Sequence, residues 1–438
     1  MRNNNSFVVK AFSLLLVVGF LLSAQPVQAQ FWKKIFGGHK NEHRQETNKN
    51  KDNDSEAKEG KEKPASNKSP FPATVMKERY RVDVLLPLGL KQQVVNGQRV
   101  NKKLPGATVA AVNFYEGIRV AANQLTGEGL KVDFAIHDID AEGTALRKLV
   151  QDSAFRQSDL IIGFLSSDLL PEAARIAQQH HINFVSAFSP SDANISGNPY
   201  FIMLQPTLSS HIKALVNFAE KRYNTSGQEI FLYGQATGVQ KEAQAAFDEA
   251  FGDRSIQRLT LDDFQKQPDI LQTYLSPDRK NIIYVNVLSN EEAKKILTKI
   301  AAFAPTYKIA VVGMPTWKYI AGISQAKGFP GLDIYYSNPY YYDLTTANGK
   351  AVAGLYKSKF GGHPSEMVFR GYESAYWLVH LLHDYGTIFN EHISDTRFAP
   401  FTRYRISEDG AEDHKIRYWE NKTLYIFHYL NGNFNVAN

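Results

Sequence analysis

Residues 159–190, DLIIGFLSSDLLPEAARIAQQHHINFVSAFSP, constrain the fold more than any other stretch of this chain. They divide into a strand (159–165), a Ser-Ser-Asp turn, a helix (169–180), a second strand (182–187) and a second turn rich in hydroxyls. Both apolar runs are short and neither alternates with polar residues, so each reads as a strand covered on both faces in a parallel sheet. A helix joining two parallel strands commits the surrounding sequence to an α/β architecture. The turn leaving the first strand offers Ser166, Ser167 and the free N–H groups of a helix start, a chemistry suited to a carboxylate or small anion. Capping the helix is the other use of such serines, and the two uses are compatible. In open α/β sheets the space beyond the carboxyl ends of the strands is where ligands sit.

The same alternation extends in both directions. Upstream, 80–88 reads as a strand, and 108–126 carries Val109, Val112, Phe114, Ile118, Ala121, Ala122 and Leu125 at helical spacing. A strand at 132–136 and a helix at 144–155 follow. Downstream, a strand at 200–206 opens a second series, with helices at 208–223, 239–251, 291–304 and 317–325 and strands at 230–233, 282–287 and 309–312. Residues 334–336 then lead into helices at 349–360 and 372–383, and the aromatic, alternating tail at 403–435 predicts antiparallel strands closed by Asn431-Gly432. At 438 residues the chain is long for one core. The expected fold is therefore α/β, with two doubly wound parallel-sheet lobes joined by hinge strands. On this reading 79–205 begin the first lobe, 206–343 form the second, 344–395 return to the first, and 396–438 form a β-rich segment on the second.

The N-terminus is of another kind. Residues 1–29 carry Arg2 and Lys10, an apolar run over 11–22 and Val27-Gln28-Ala29, the pattern of a cleaved secretory signal. An uncleaved membrane anchor is the alternative, although the run is short for a bilayer. Residues 30–78 hold too few apolar groups to offset the entropy of ordering them and read as a disordered, basic and polar tether. At its start Phe31-Trp32-Lys33-Lys34-Ile35-Phe36 suits contact with a membrane surface or a partner, or is a remnant without a role. Residues 1–78 contain 13 basic and 8 acidic residues, so five of the chain's six net positive charges lie there. The remainder is nearly neutral, which argues against a nucleic-acid partner. There is no cysteine, which excludes disulfides, thiolate metal sites, cysteine nucleophiles and a lipidated N-terminal cysteine. A periplasmic location follows from the signal alone.

Catalytic patterns are weak. His180, His181, His211, His380 and His383 are scattered, and the last two lack the glutamate of a metalloprotease helix. Asp138 and Asp140 end a strand, where a capping or turn role outweighs a metal or acid role. With no nucleophile elbow, phosphate-cradling loop or dinucleotide fingerprint, no enzyme activity, metal or cofactor is expected.

The order of these segments resembles the type I periplasmic solute-binding proteins, above all the branched-chain amino-acid-binding branch that serves ABC importers. The resemblance is carried by EGIRVAANQL after the first strand, HDID, IIGFLSS followed by EAARIAQQHHINFVSAFSPS, YFIMLQPTLSSHIKALVNFA at the first crossover and FRGYESAYWLVHLL near the return. It implies two lobes joined by three hinge strands that close on a ligand. By resemblance, Ser166 and Ser167 would contact the ligand's acidic end, Ser186, Ala187 and Ser189 would line the next turn, and Thr207 would lie near the hinge. From the second lobe, Tyr233, Trp317 and one of Tyr335 or Tyr336 would cover the ligand. The Tyr-rich run at 335–342 suits either packing between lobes or stacking on a ligand.

The sequence departs from that pattern in three places. A long polar insertion occupies 89–106, the tether is not needed by a freely diffusing importer component, and Gly313-Met314-Pro315-Thr316-Trp317 offers no carboxylate to an amino acid's ammonium group. The expectation is an exported protein holding a small polar, amino-acid-like or peptide-like ligand for an ABC permease. The alternative is a non-transport envelope module of the same fold that binds a protein or peptidoglycan.

Overall fold

The computed structural model describes residues 71–437 apart from 97, 101–102, 224–226, 235–237, 326–327 and 410–415. The expected signal segment and most of the expected tether lie outside the described residues.

The first lobe opens with β1 (Arg79–Leu86), a single helical turn α1 (Leu90–Gln93) and a small ribbon of β2 (Val94–Val95) and β3 (Gln98–Arg99). It continues with α2 (Gly106–Gly127), β4 (Lys131–Asp138), α3 (Thr144–Leu149), β5 (Leu160–Gly163), α4 (Leu170–Gln179), β6 (Asn183–Ser186) and β7 (Phe201–Met203). The second lobe runs through α5 (Leu208–Tyr223), β8 (Gln228–Tyr233), α6 (Val239–Phe251), β9 (Gln257–Thr260), α7 (Leu261–Lys266), β10 (Asn281–Val285), α8 (Asn290–Ala301), β11 (Ile309–Val312) and β12 (Leu332–Asn338). The chain then returns as α9 (Ala347–Phe360) and α10 (Glu366–Tyr385), and ends in β13 (Ile406–Asp409), β14 (Tyr418–Asn421), β15 (Tyr425–Leu430) and β16 (Asn433–Val436).

Two seven-stranded sheets result, ordered β13-β14-β7-β6-β5-β1-β4 and β16-β15-β12-β11-β10-β8-β9. The inner pairings are parallel, as between β1 and β5 or β10 and β11, and antiparallel pairing is confined to the β13/β14, β12/β15 and β15/β16 edges. Because side chains alternate along a strand, β1 serves two cores at once. Tyr80, Val82, Val84 and Leu86 enter one cluster, and Leu85 enters the cluster on the opposite face. This is why the strands read as unbroken apolar runs.

Helix α10 is buried on nearly all sides, from Val368 to Leu382. Its approach to α2 is set by two glycines. A Cβ at Gly371 would lie 2.0 Å from the Phe114 carbonyl oxygen, and one at Gly117 2.0 Å from that of Val368, so the two backbones touch.

Three connections cross between the lobes, at 204–207, 339–346 and 422–424. The first and third are bonded together. Asn421 Nδ2 donates to the Leu204 carbonyl at 3.2 Å, and the buried Glu420 Oε1 accepts the Thr207 N–H at 2.8 Å and the Ser210 hydroxyl at 2.7 Å.

Three expectations are corrected. The segment 396–438, expected on the second lobe, is divided: β13 and β14 extend the first sheet, and β15 and β16 complete the second. The helix expected at 317–325 is a short 3-10 turn, Pro315–Tyr319, because Trp317 is drawn into the core. The helix expected at 144–155 stops at Leu149, and a 3-10 turn follows at Phe155–Gln157. β9 gave no signal because this edge strand, QRLT, buries one residue in four. At the tail, Asn431 and Gly432 adopt φ of 50° and 78° and close the β15/β16 hairpin, as their sequence predicts.

Gly371→Ala is expected to lower the urea midpoint through overpacking, a loss of about 1–3 kcal/mol. Gly354→Ala, at a place on α9 where an added methyl meets nothing within 4 Å, is expected to raise it by up to about 1 kcal/mol. Equal responses from the two variants would show that the α2/α10 contact is loose.

Candidate ligand site between the lobes

The site starts from a charge pattern on α10. Glu366 and Arg370 are one helical turn apart near the start of a largely buried helix, so both side chains leave its first turns on the same side. The second lobe supplies their partner through the turn after β11. There Trp317 is fully buried, its indole N–H donates to the Val287 carbonyl at 2.9 Å, and its ring covers Gly313, where a Cβ would stand 2.0 Å from it. With Trp317 turned inward, its neighbours Thr316, Lys318 and Tyr319 face the junction of the lobes.

Lys318 Nζ donates to both carboxylate oxygens of Glu366, at 2.9 and 2.7 Å, and so ties the second lobe to the first. Arg370 Nη2 donates to Glu366 Oε1 at 2.5 Å, its Nη1 reaches Gln205 Oε1 at 3.4 Å, and its guanidinium lies 3.8 Å from the Tyr340 ring centroid. Gln205 lies in the first crossing, Asn338 ends β12 where the second begins, and Leu208 and His211 come from the first turn of α5. Of these, Lys318, Arg370, Gln205, Asn338, Leu208 and His211, with Pro190 and Pro315, surround a cavity of about 20 Å³, room on the order of one water.

Burial would raise the Glu366 carboxyl, but the Lys318 ammonium and Arg370 guanidinium outweigh it and hold the group down to about 2. Burial would lower the Arg370 guanidinium, and Glu366 raises it instead. Burial, with the charges of Lys318 and Arg370, pushes the His211 imidazole down to about 3. The neutral ring bonds through Nδ1 to the Ser337 hydroxyl at 2.8 Å, while His211 Nε2 and Arg370 Nε are buried without a hydrogen-bond partner.

The ten residues expected from the sequence fall elsewhere, and none lines this cavity. Ser166 is exposed at the start of the 3-10 turn Ser167–Leu169, with no side-chain capping bond, and Ser167 is half-buried within it. Ser186 and Ala187 are buried at the end of β6, and the Ser186 hydroxyl has no partner. Ser189 is buried and accepts the Ser191 N–H at 3.3 Å, beside the cavity residue Pro190. The Thr207 hydroxyl, in the first crossing, donates to Glu420 at 3.1 Å.

The second-lobe aromatics expected over the ligand occupy packing positions. Trp317, Tyr335 and Tyr336 belong to the second core: Tyr335 stacks on His428 at 4.6 Å and Tyr336 on Phe427 at 5.4 Å. Tyr233 is half-buried and stacks on Phe231 at 5.6 Å. Asp138 accepts the Gly89 and Leu90 N–H groups at 2.8 and 2.7 Å, and Asp140 caps α3 through Thr144 and Ala145. Sequence reasoning missed Lys318, Glu366 and Arg370. The available signal was an oppositely charged pair spaced one turn apart at the start of a helix rich in apolar residues.

The two titrations act in one direction. Below pH 6.5, the ordinary histidine value, an unfolded chain takes up a proton that folded His211 refuses until about 3, so its contribution is full above 6.5 and lost as pH falls towards 3. Glu366 contributes fully above 4.5 and loses its contribution as pH falls towards 2. The melting temperature is therefore expected to drop on acidification. In scanning calorimetry, His211→Asn should flatten that drop between pH 6.5 and 4.5, and an unchanged slope would contradict the burial of the ring.

The sequence profile of the periplasmic binding protein family matches residues 110–393. Among solved structures, an ABC-type branched-chain amino acid transporter from Rhodopseudomonas palustris shares 15% identity over 82% of this chain and 95% of its own, with a TM-score of 0.57. An ABC transporter substrate-binding protein from Desulfitobacterium hafniense shares 13% over 82% of this chain and 100% of its own, with a TM-score of 0.55. No curated protein matches the chain. At such identities the structures establish a common fold. A profile match over more than half of the chain, on a body of two doubly wound lobes with three crossings, makes this protein a member of the periplasmic binding protein family.

Proposed function

We propose that this protein is an exported solute-binding protein that holds one small polar ligand between its lobes and delivers it to an ABC-type importer. One observation carries the reading: buried charged and polar side chains from both lobes and two crossings converge on one cavity, and two of their nitrogens lack partners. Native proteins pair such groups unless they are kept for something else. The fold supports the reading, since two rigid lobes on short crossings are built to close around a ligand. The residues that would meet it are Lys318, Glu366, Arg370, His211, Gln205 and Asn338, with Ser189 beside them. The segment 1–29 supports export.

A second reading, a non-transport envelope module, draws on the insertion after β1. There Leu90, Val94, Val95 and Val100 are exposed together, an arrangement that suits contact with another macromolecule.

A thermal-shift screen of the purified protein against amino acids, small organic acids, dipeptides, sugars and muropeptides tests the two readings. A solute at about a hundredfold over its dissociation constant adds roughly 2.7 kcal/mol to the folded state, and a clear rise of the melting temperature is expected for one class. No rise with any solute, in a protein that melts cooperatively, would move the assignment to the envelope module.

A further inference from the structure

The charges in the cleft do not cancel. Lys318 and Arg370 bring two positive charges and Glu366 one negative, while His211 is neutral. The nearest further carboxylate on the same helix, Glu373, is occupied elsewhere: it accepts the N–H groups of Phe401 and Thr402 and the hydroxyls of Thr402 and Tyr404. Tyr319 and Tyr340, which also face the cations, carry phenols that burial keeps protonated. One positive charge is thus left over where Arg370 is 2% and Lys318 12% exposed. Such a charge is costly unless something pairs with it.

The hydrogen bonding is incomplete at the same place. Arg370 Nε is a permanent donor, and it is buried without an acceptor. His211, 1% exposed, has its Nε2 in the same condition. When the Ser337 hydroxyl donates to Nδ1, the neutral ring carries its proton on Nε2 and offers a second donor. Arg370 and His211 line one cavity and come from opposite lobes, so a single acceptor group there would be held by both. The other walls, Pro190, Leu208, Pro315 and the Tyr319 ring, are apolar and suit an organic body.

From this coincidence, among the described residues, of one unbalanced positive charge, one donor without an acceptor and a second ring nitrogen without a partner, we infer that the ligand of the cleft is an organic monocarboxylate with no ammonium group beside its carboxylate. The inference rests on the solute-binding reading above and narrows its ligand class. The carboxylate accepts from Arg370 Nε and His211 Nε2 and brings the local charge to zero. A zwitterionic amino acid leaves the surplus in place and brings its ammonium among two cations. Among the described residues Glu366 is the one carboxylate in the cluster, and both of its oxygens are already engaged. The cavity of about 20 Å³ has room on the order of one water, so admitting the ligand requires the lobes to part at their crossings.

The test is isothermal titration of the purified protein with matched compounds: isocaproate and hydrocinnamate, their two amides, and leucine and phenylalanine, which differ from the acids only by the amino group. The acids are expected to bind roughly ten- to hundredfold more tightly than either the amides or the amino acids. Arg370→Gln should abolish the preference of acid over amide, and Lys318→Met should weaken acids selectively should the first variant fold poorly. An amino acid that binds as tightly as its deaminated acid, or an amide equal to its acid, overturns the ligand class and leaves solute binding standing. The same holds if none of the six binds but a neutral solute does in the wider screen. Failure of every solute in both experiments removes the solute-binding reading and this inference with it.

Discussion

The place where α10 touches α2 governs much of what this molecule is. Two backbones can meet only where neither carries a side chain, and Gly117 and Gly371 supply that on facing helices. The contact fixes α10 along its axis. Arg370 is the residue immediately before Gly371, and Glu366 lies a turn earlier, so the same contact that packs the first lobe also sets the position of its charged groups. A functional group placed in this way needs no loop to aim it. Its location is as rigid as the core, which is what a site formed by two separate bodies requires of each half.

The crossings divide the remaining work. The first and third are laced together through Glu420, Thr207, Ser210 and Asn421, so these two strands move as one ribbon. The second crossing leaves β12 at Asn338, whose side chain donates to the Tyr340 carbonyl at 3.0 Å, and carries Tyr340 itself, which supports the Arg370 guanidinium. Any rotation of the lobes therefore reaches Arg370 through a neighbour in contact with it, without a long relay.

Much of this plan was legible in the amino-acid sequence because parallel strands buried on both faces announce themselves as apolar runs, and helices over them by their period. Four strand–helix steps and then a second series led to two lobes with little ambiguity. What could not be read was direction. Trp317, Tyr335 and Tyr336 were expected over a ligand because large rings with polar tips suit that role, but a strand presents its residues to alternate faces and both faces of this sheet are covered. Trp317 turned inward because Gly313 leaves a seat for its ring, a three-dimensional relation between residues that spacing alone does not reveal. The same inward turn brings Lys318 to the cleft, beside a segment, 313–317, that offers no carboxylate. A carboxylate was sought in the second lobe, and the one present arrives from the first, on a helix that follows nearly fifty residues later.

Glu366 has a further effect through its attachment to the chain. Paired with Lys318 of the opposite lobe and with Arg370 Nη2, its carboxylate holds two cations together across the cleft. Parting the lobes therefore separates a half-buried ion pair, so the closed arrangement carries a latch of its own before anything enters the cleft.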